Sequence, residues 1–139
     1  EAGITAEPAW LRSSEFSVAG GFAAAKALLA DPSAGVTGIF CAADEIAVGA
    51  ILAARELGLR VPEDLSVIGI DGHELSAVFG LTTISQDPAG QGAAAVGAVL
   101  SLLRNEPVGG ELLHGTYPTE FLVRSSTAVP PGFQGRTAP

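Results

Sequence analysis

The sequence predicts an α/β domain with a mainly parallel sheet and helices packed on both of its faces. Short apolar runs such as Ser66–Ile70 alternate along the chain with longer helical patterns, and this alternation is typical of βαβ units. The strand cores "GIFCA" and "VIGI" are apolar without a polar face, as expected when helices cover a sheet on both sides. A length of 139 residues fits one domain rather than two.

Composition excludes several classes of protein. Hydrophobic residues make up 47% of the chain and charged residues 16%, which indicates a packed core. The formal charge of −8 argues against direct binding of nucleic acid, because phosphate contacts need a clustered basic face. There is no apolar run of about 18 residues and no signal peptide. We therefore expect no membrane contact, and the single cysteine, Cys41, favours a cytoplasmic location.

The first half of the chain predicts two helices and a strand. The first helix runs from about Ser17, a suitable N-cap, to Ala30, and it ends at Asp31-Pro32. An apolar run predicts a strand near Val36–Cys41. The second helix begins at Asp44, which we interpret as a cap, and continues to Leu57, with Gly58 at the left-handed position after it.

The second half predicts a strand at Ser66–Ile70, a helical turn at Glu74–Phe79 and a third strand in "LTTIS". Asp87-Pro88 opens a third long helix that reaches about Asn105. The segment "ELLHGTYPTEFLVR" predicts extended chain, interrupted at Pro118. Residues 129–139 lack periodicity and are predicted to be a mobile tail. The chain has no methionine, so we expect it to be part of a longer protein.

The centre of the second helix, "IAVGAILAA" (Ile46–Ala54), is apolar on every side. A helix of this kind is expected to be buried all round. One face can cover the sheet, and a subunit interface is our preferred explanation for the other. The alternative is an alanine-rich helix with one exposed side, since isolated exposed apolar groups are common.

The polar residues predict neither a metal site nor a catalytic site. Asp71, His73, Glu74 and His114 do not form a known metal-binding spacing. No nucleophile–base pair is visible, and Cys41 lies within an apolar strand, where a thiol is usually inert. The glycine pattern at Gly90–Ala95 resembles a dinucleotide fingerprint, but it lies inside a helix that begins with an acid, so we attribute it to close packing. We therefore expect no cofactor, no metal and no enzymatic activity.

A pocket for a small polar ligand fits these residues better. Asp71 and Gln86 follow consecutive strands, and ligands bind parallel sheets beyond the carboxyl ends of their strands. A carboxylate accepts hydroxyl hydrogen bonds, and an amide both donates and accepts them. Phe16 and Phe40 offer flat apolar walls for a sugar or a base. Each residue alone has an ordinary structural explanation, so the hypothesis depends on their shared placement.

Several motifs together resemble one family. They are "FSVAGGFAAAKALL", "GIFCAADEIAVGAILAARELGLRVPEDLSVIGIDG", "LTTISQD" and "PTEFLVRSST". In this order and spacing they resemble the effector-binding region of LacI/GalR-family transcriptional regulators, from about Phe16 to Val129. Members of that family join a DNA-binding headpiece to two periplasmic-binding-protein-like (type I) subdomains, with a small effector in the cleft between them.

The resemblance implies a domain layout. Residues 1–84 and 119–128 would belong to the C-terminal subdomain, and residues 88–116 would be a fragment of the N-terminal one. Residues 1–128 would then form a partial effector-binding domain, and the DNA-binding headpiece would be absent from the chain. Operator DNA would be bound only through that missing headpiece.

The resemblance also implies functional positions. Effector contacts would fall at Phe16, Phe40, Ala43, Asp71 and Gln86. The dimer interface would include Ile46, Val48 and Ile51. Many members have Asn at the position of Ala43 and an acid or Asn at the position of Gly72, so these two residues depart from the family pattern.

The leading hypothesis is therefore the effector-sensing and dimerisation portion of a transcriptional regulator, a repressor that forms a homodimer. The expected effector is a sugar, with a nucleoside or base as the second choice. The alternative function is a periplasmic sugar-binding protein that serves a transporter.

Overall fold

The computed structural model describes residues 7–31, 35–110 and 116–130. A single 3₁₀ turn at Pro8–Trp10 precedes the helices. The helices are α1 (Val18–Leu29), α2 (Asp44–Glu56), α3 (Glu74–Val78) and α4 (Pro88–Leu103). The strands are β1 (Gly38–Phe40), β2 (Ser66–Asp71), β3 (Thr82–Ser85) and β4 (Glu120–Leu122). The predicted elements are present, with bounds that differ by one to a few residues.

The strands form one sheet in the order β1-β2-β3-β4. The pairs β1–β2 and β2–β3 are parallel, whereas β4 runs antiparallel to β3. The prediction of an α/β fold with a mainly parallel sheet is confirmed. Most of the predicted tail lies outside the described residues, and so do residues 111–115 of the predicted extended segment. Among the described residues, no helix has both the length and the hydropathy needed to cross a bilayer.

Helix α2 is enclosed within this chain. Its buried residues include Ala47, Val48, Ala50, Ile51, Ala53 and Ala54, and the hydrophobic core joins it to β2 and α1. Two glycines bring α1 and α2 together: a Cβ on Gly21 would lie 2.3 Å from the carbonyl oxygen of Ile46, and one on Gly49 would lie 2.2 Å from that of Val18. Within this chain, α1 therefore covers the side of this apolar helix that faces away from the sheet, and the predicted dimer interface at Ile46, Val48 and Ile51 stays a prediction.

Helix α4 contrasts with α2. Ala98 is its only buried residue among those described. Its exposed apolar side chains are Val96, Val99, Leu100, Leu102 and Leu103. An apolar stripe of this kind is typical of a helix that packs against further protein.

The segment that follows β4 completes the sheet at the amino ends of β2 and β3. Ser126 is 2% exposed. Its hydroxyl donates to the carbonyl of Val67 at 2.6 Å and accepts from the backbone N–H of Thr82 at 2.8 Å. Its backbone carbonyl accepts from the N–H of Val67 at 2.8 Å. These bonds satisfy polar groups of two strands from a residue more than 40 positions away in sequence.

Candidate functional site

The carboxyl ends of β2 and β3 bring Asp71 and Gln86 together. Asp71 pairs in register with Ser85, so the side chains at the strand ends lie close to each other. The Gln86 amide nitrogen donates to Asp71 Oδ1 at 2.9 Å, and the Gln86 backbone N–H donates to the Asp71 carbonyl at 3.2 Å. The structure thus joins two of the five predicted ligand contacts into one polar pair.

The backbone at this pair has an unusual conformation. Asp71 has φ 118° and Gly72 has φ 74°, and positive φ is rare for residues other than glycine. A Cβ on Gly72 would lie 2.3 Å from Ser85 Oγ and 3.0 Å from its Cα. In this chain both the conformation and the space at position 72 therefore favour glycine. Strain of this kind persists only where the surrounding structure fixes it.

The electrostatic environment of Asp71 disfavours its charge. Partial burial raises the pKa of Asp71, and the nearby Asp44 and Glu45 carboxylates raise it further. The backbone N–H of Asp44 and the Gln86 amide act in the opposite direction by hydrogen bonding to the carboxylate. The Asp71 carboxylate therefore lies close to the start of α2. A further hydroxyl donor, such as one from a ligand, would stabilise its charged form by hydrogen bonding.

Asp44 is not the cap that we predicted. The N-cap of α2 is Ala43, and Asp44 is the first helical residue. Its side chain is fully buried. Oδ2 accepts from the backbone N–H of His73 at 2.8 Å and from the Ser76 hydroxyl at 2.6 Å, and Oδ1 accepts from the Thr83 hydroxyl at 2.7 Å. One carboxylate thus connects α2 with α3, with β3 and with the turn that follows Asp71.

The two predicted aromatic residues, Phe16 and Phe40, line one cavity of about 280 Å³. Both rings are exposed, at 69% and 62%. Trp10 and Arg12 line the same cavity, and sequence reasoning missed both. Their position could have been inferred from the alternation of side chains along an extended segment, because every second residue from Trp10 to Phe16 lines the cavity.

Asp71 and Gln86 do not line this cavity. Phe40 pairs with Ile68, so Asp71 lies three residues, about 10 Å, further along β2. A ligand of disaccharide size is long enough to reach from one to the other.

The remaining predicted positions differ in their exposure. Ala43 is fully buried, so the structure argues against a direct ligand contact by its side chain. Val48 and Ile51 are 2% and 1% exposed, because α1 and the sheet already enclose α2. Of the three residues predicted at a dimer interface, only Ile46 retains accessible surface, and it too lines the aromatic cavity.

His73 has a structural role. It is the N-cap of α3, and its Nδ1 accepts from the backbone N–H of Leu75 at 3.1 Å. Within residues 7–31, 35–110 and 116–130, no three His, Cys, Asp or Glu side chains are grouped as metal ligands. His114 lies outside the described residues.

A polar pair at the carboxyl edge of a parallel sheet, beside an aromatic cavity, is typical of a ligand-binding α/β domain. The family profile for the periplasmic binding protein-like domain matches residues 1–127, and the chain belongs to that family. Its relatives place it within the family as an effector-binding region of the LacI/GalR type of transcriptional regulator.

Three relatives illustrate the similarity. The chain is 44% identical over 126 residues to an uncharacterized HTH-type transcriptional regulator in the aml 5′ region of Streptomyces limosus, with 88% of this chain and 34% of the relative covered. A LacI family transcriptional regulator from Arthrobacter sp. FB24, solved in complex with lactose, is 31% identical with a TM-score of 0.71, over 83% of this chain and 44% of that one. The lac repressor dimer bound to operator and the anti-inducer ONPF is 33% identical with a TM-score of 0.74, over 84% and 40%.

The chain spans about a third of the length of the curated relatives that it matches. Those relatives are transcriptional regulators rather than enzymes. They do not favour the alternative of a periplasmic sugar-binding protein.

Proposed function

We propose that this chain is the effector-sensing and dimerisation portion of a LacI-type DNA-binding regulator, a repressor, and that it binds a small sugar-like ligand at the Asp71–Gln86 pair. The observation that carries this proposal is the contact between the two side chains at 2.9 Å. The pair lies on a backbone turn held at positive φ, which is typical of a functional site.

The chemistry of the pair favours a polyhydroxylated ligand. Only one Asp71 oxygen is bonded to Gln86, and a carboxylate has room for several donors on its two oxygens. The Gln86 amide oxygen can accept a further hydroxyl. The exposed rings of Phe16 and Phe40 can pack against the C–H face of a sugar. The complex of the Arthrobacter relative with lactose supports a sugar over a nucleoside.

The partners and layout of the whole protein belong to the same proposal. The chain would act as a homodimer, as the lac repressor relative does, and would bind operator DNA only through a headpiece elsewhere in the protein, in the cytoplasm. Residues 1–84 and 119–128 would form the C-terminal subdomain, and residues 88–116 would belong to the N-terminal one. The exposed apolar stripe of α4 supports this division, because that helix has little of its own chain to cover it.

Calorimetry on the natural full-length protein tests the ligand site. We would titrate lactose, maltose, D-ribose and adenosine into the wild type and into Asp71→Ala. We expect at least one sugar to bind, and Asp71→Ala to weaken that binding by about 10-fold to 100-fold, the effect of losing hydrogen bonds to a charged group. Operator binding, measured by gel shift, should remain intact in the same variant.

Asp64→Ala is the matched control, since Asp64 is an aspartate just before β2, at the opposite end of that strand, where it pairs with Arg60. It should leave sugar affinity unchanged. Unchanged affinity in Asp71→Ala would refute the site. Binding of adenosine but of no sugar would place the ligand in the nucleoside class instead.

A further inference from the structure

We infer that Asp44 is a positioning residue for the ligand site, because its buried carboxylate holds the backbone turn that follows Asp71. This inference rests on the proposed role of Asp71 as the ligand-binding carboxylate. It assigns to Asp44 a function that neither capping nor core packing describes. Asp44 would not touch the ligand and would act only through the conformation of its neighbours.

Hydrogen-bond donors surround the Asp44 carboxylate. The side chain is fully buried, and burying a carboxylate is costly unless hydrogen bonds compensate for the lost water. Three donors supply this compensation: the His73 backbone N–H, the Ser76 hydroxyl and the Thr83 hydroxyl, at 2.6–2.8 Å. Hydrogen bonds to an ionised acceptor are about twice as strong as those between neutral groups.

Two of these donors belong to the turn after Asp71 or bond directly to it. His73 is two residues after Asp71, and the Thr83 hydroxyl that donates to Asp44 also accepts from the Gly72 N–H at a longer 3.4 Å. Both amides after Asp71 are thus held, one directly and one through Thr83. Asp71 itself has φ 118°, a conformation that persists only where surrounding contacts fix it. The network of Asp44 supplies those contacts.

Strand β2 leaves space for the Asp44 carboxylate at Gly69. A Cβ on Gly69 would lie 2.2 Å from Asp44 Oδ1. Glycine in the middle of a strand weakens the strand and often marks a close approach. The missing side chain in β2 is therefore matched to the carboxylate of α2, two residues before Asp71. Helix α2 is therefore packed directly on β2, two residues before the turn that Asp44 holds.

Hydrogen–deuterium exchange on the ligand-free natural full-length protein tests the inference. We expect Asp44→Asn to speed exchange of the Gly72 and His73 amides by about tenfold or more relative to amides of the β2–β3 ladder. A purely structural role would lower protection evenly across the sheet. An even loss of protection, or unchanged exchange at residues 72–73, would overturn the inference.

A pair of substitutions at Thr83 keeps the test decisive if Asp44→Asn does not fold. Thr83→Ser retains the hydroxyl that bonds Asp44, whereas Thr83→Val keeps the shape and loses it. Thr83→Val should speed exchange of the His73 amide, whose acceptor is Asp44, as well as that of Gly72, and Thr83→Ser should retain the protection of both. Ser126→Ala is the control, because it removes a buried hydroxyl bonded to β2 and β3 outside this network and should leave exchange at residues 72–73 unchanged relative to the ladder. Equal release in both Thr83 variants would contradict the inference.

The outcome separates this inference from the proposed function, because the exchange experiment uses no ligand. Faster exchange at residues 72–73 together with unchanged sugar affinity in Asp71→Ala would leave the positioning role standing and remove the ligand site. Unchanged exchange at residues 72–73 together with lost sugar affinity in Asp71→Ala would leave the ligand site standing and remove the positioning role of Asp44. If both stand, Asp44→Asn should weaken sugar binding in the wild-type background and have no further effect in the Asp71→Ala background.

Discussion

Gly69→Ala should destabilise the protein far more than a single added methyl group suggests. The new Cβ would lie 2.2 Å from Asp44 Oδ1 and 3.2 Å from both Asp44 Cα and Ala47 Cβ. Ordinary carbon contacts lie at about 3.5–4.0 Å, so the carboxylate must move by more than an ångström. That movement breaks the 2.7 Å bond from the Thr83 hydroxyl, which is buried away from solvent.

The magnitude follows from two effects. Overpacking a tight site costs about 1–3 kcal/mol. A buried donor left without its acceptor costs about 1–3 kcal/mol more. We therefore expect the free energy of unfolding to fall by about 2–6 kcal/mol, against a total of about 5–15 kcal/mol for a typical domain.

Gly38→Ala is the matched control, because Gly38 is also a strand glycine. A Cβ there would have its nearest neighbour at 3.9 Å, so this variant should be unchanged or stabilised by up to about 1 kcal/mol. Urea unfolding followed by far-ultraviolet circular dichroism measures both variants. Equal free energies of unfolding for Gly69→Ala and Gly38→Ala would refute the packing argument.

Three further predictions use other features of the structure. Burial raises the pKa of the Cys41 thiol to about 12, and the nearby Asp44 adds to the shift. A thiol reagent at pH 8 should therefore label Cys41 only after unfolding in guanidinium. Rapid labelling of the folded protein would contradict the burial of Cys41. Ile51→Ala should lower the free energy of unfolding by about 2–5 kcal/mol at any protein concentration, because Ile51 is 1% exposed within one chain; a change in self-association alone, measured by sedimentation, would disprove this. Because the pKa of Asp71 is raised, its carboxylate should be protonated, and sugar binding weakened, at a higher pH than if its pKa were that of an ordinary aspartate. Asp71 should also make the folded state more stable as the pH falls, because the folded state takes up this proton more readily than the unfolded state. Asp71→Asn should abolish both effects, measured by calorimetry and by unfolding titrations.

Much of the fold was predictable because its signals are local. Continuous apolar runs predicted β1 and β2, and the short segment "LTTIS" predicted β3. The Ser17 cap at the start of α1 is confirmed by its 3.0 Å bond from the Gly20 N–H. Gly58 has φ 77° after α2, as predicted. The Asp71–Gln86 pair was predictable as well, because parallel strands end at the same edge of the sheet.

Sequence reasoning was ambiguous where a local pattern has two physical causes. An acid at the start of a helix gives the same sequence pattern whether its side chain caps the backbone or joins a buried hydrogen-bond network, so Asp44 was misassigned. The clue was Gly69, an isolated glycine in an apolar strand. A helix that is apolar on all sides, such as α2, must be buried on two faces. Its own sequence does not say whether the second face packs on another helix of the same chain or on a partner chain. Gly21 on α1 and Gly49 on α2, where the two helices touch, carried that information.

The bonds of Ser126 to β2 and β3 set the order in which the sheet can be finished during synthesis. The ribosome makes β2 and β3 first, yet the backbone N–H groups of Val67 and Thr82 obtain their partners only from residue 126. Until that residue leaves the exit tunnel, the two strands keep unpaired donors at their amino ends. Contacts between residues far apart in sequence form late, so nascent chains that stop short of Ser126 should be sensitive to proteases, and protection should arise abruptly once it emerges.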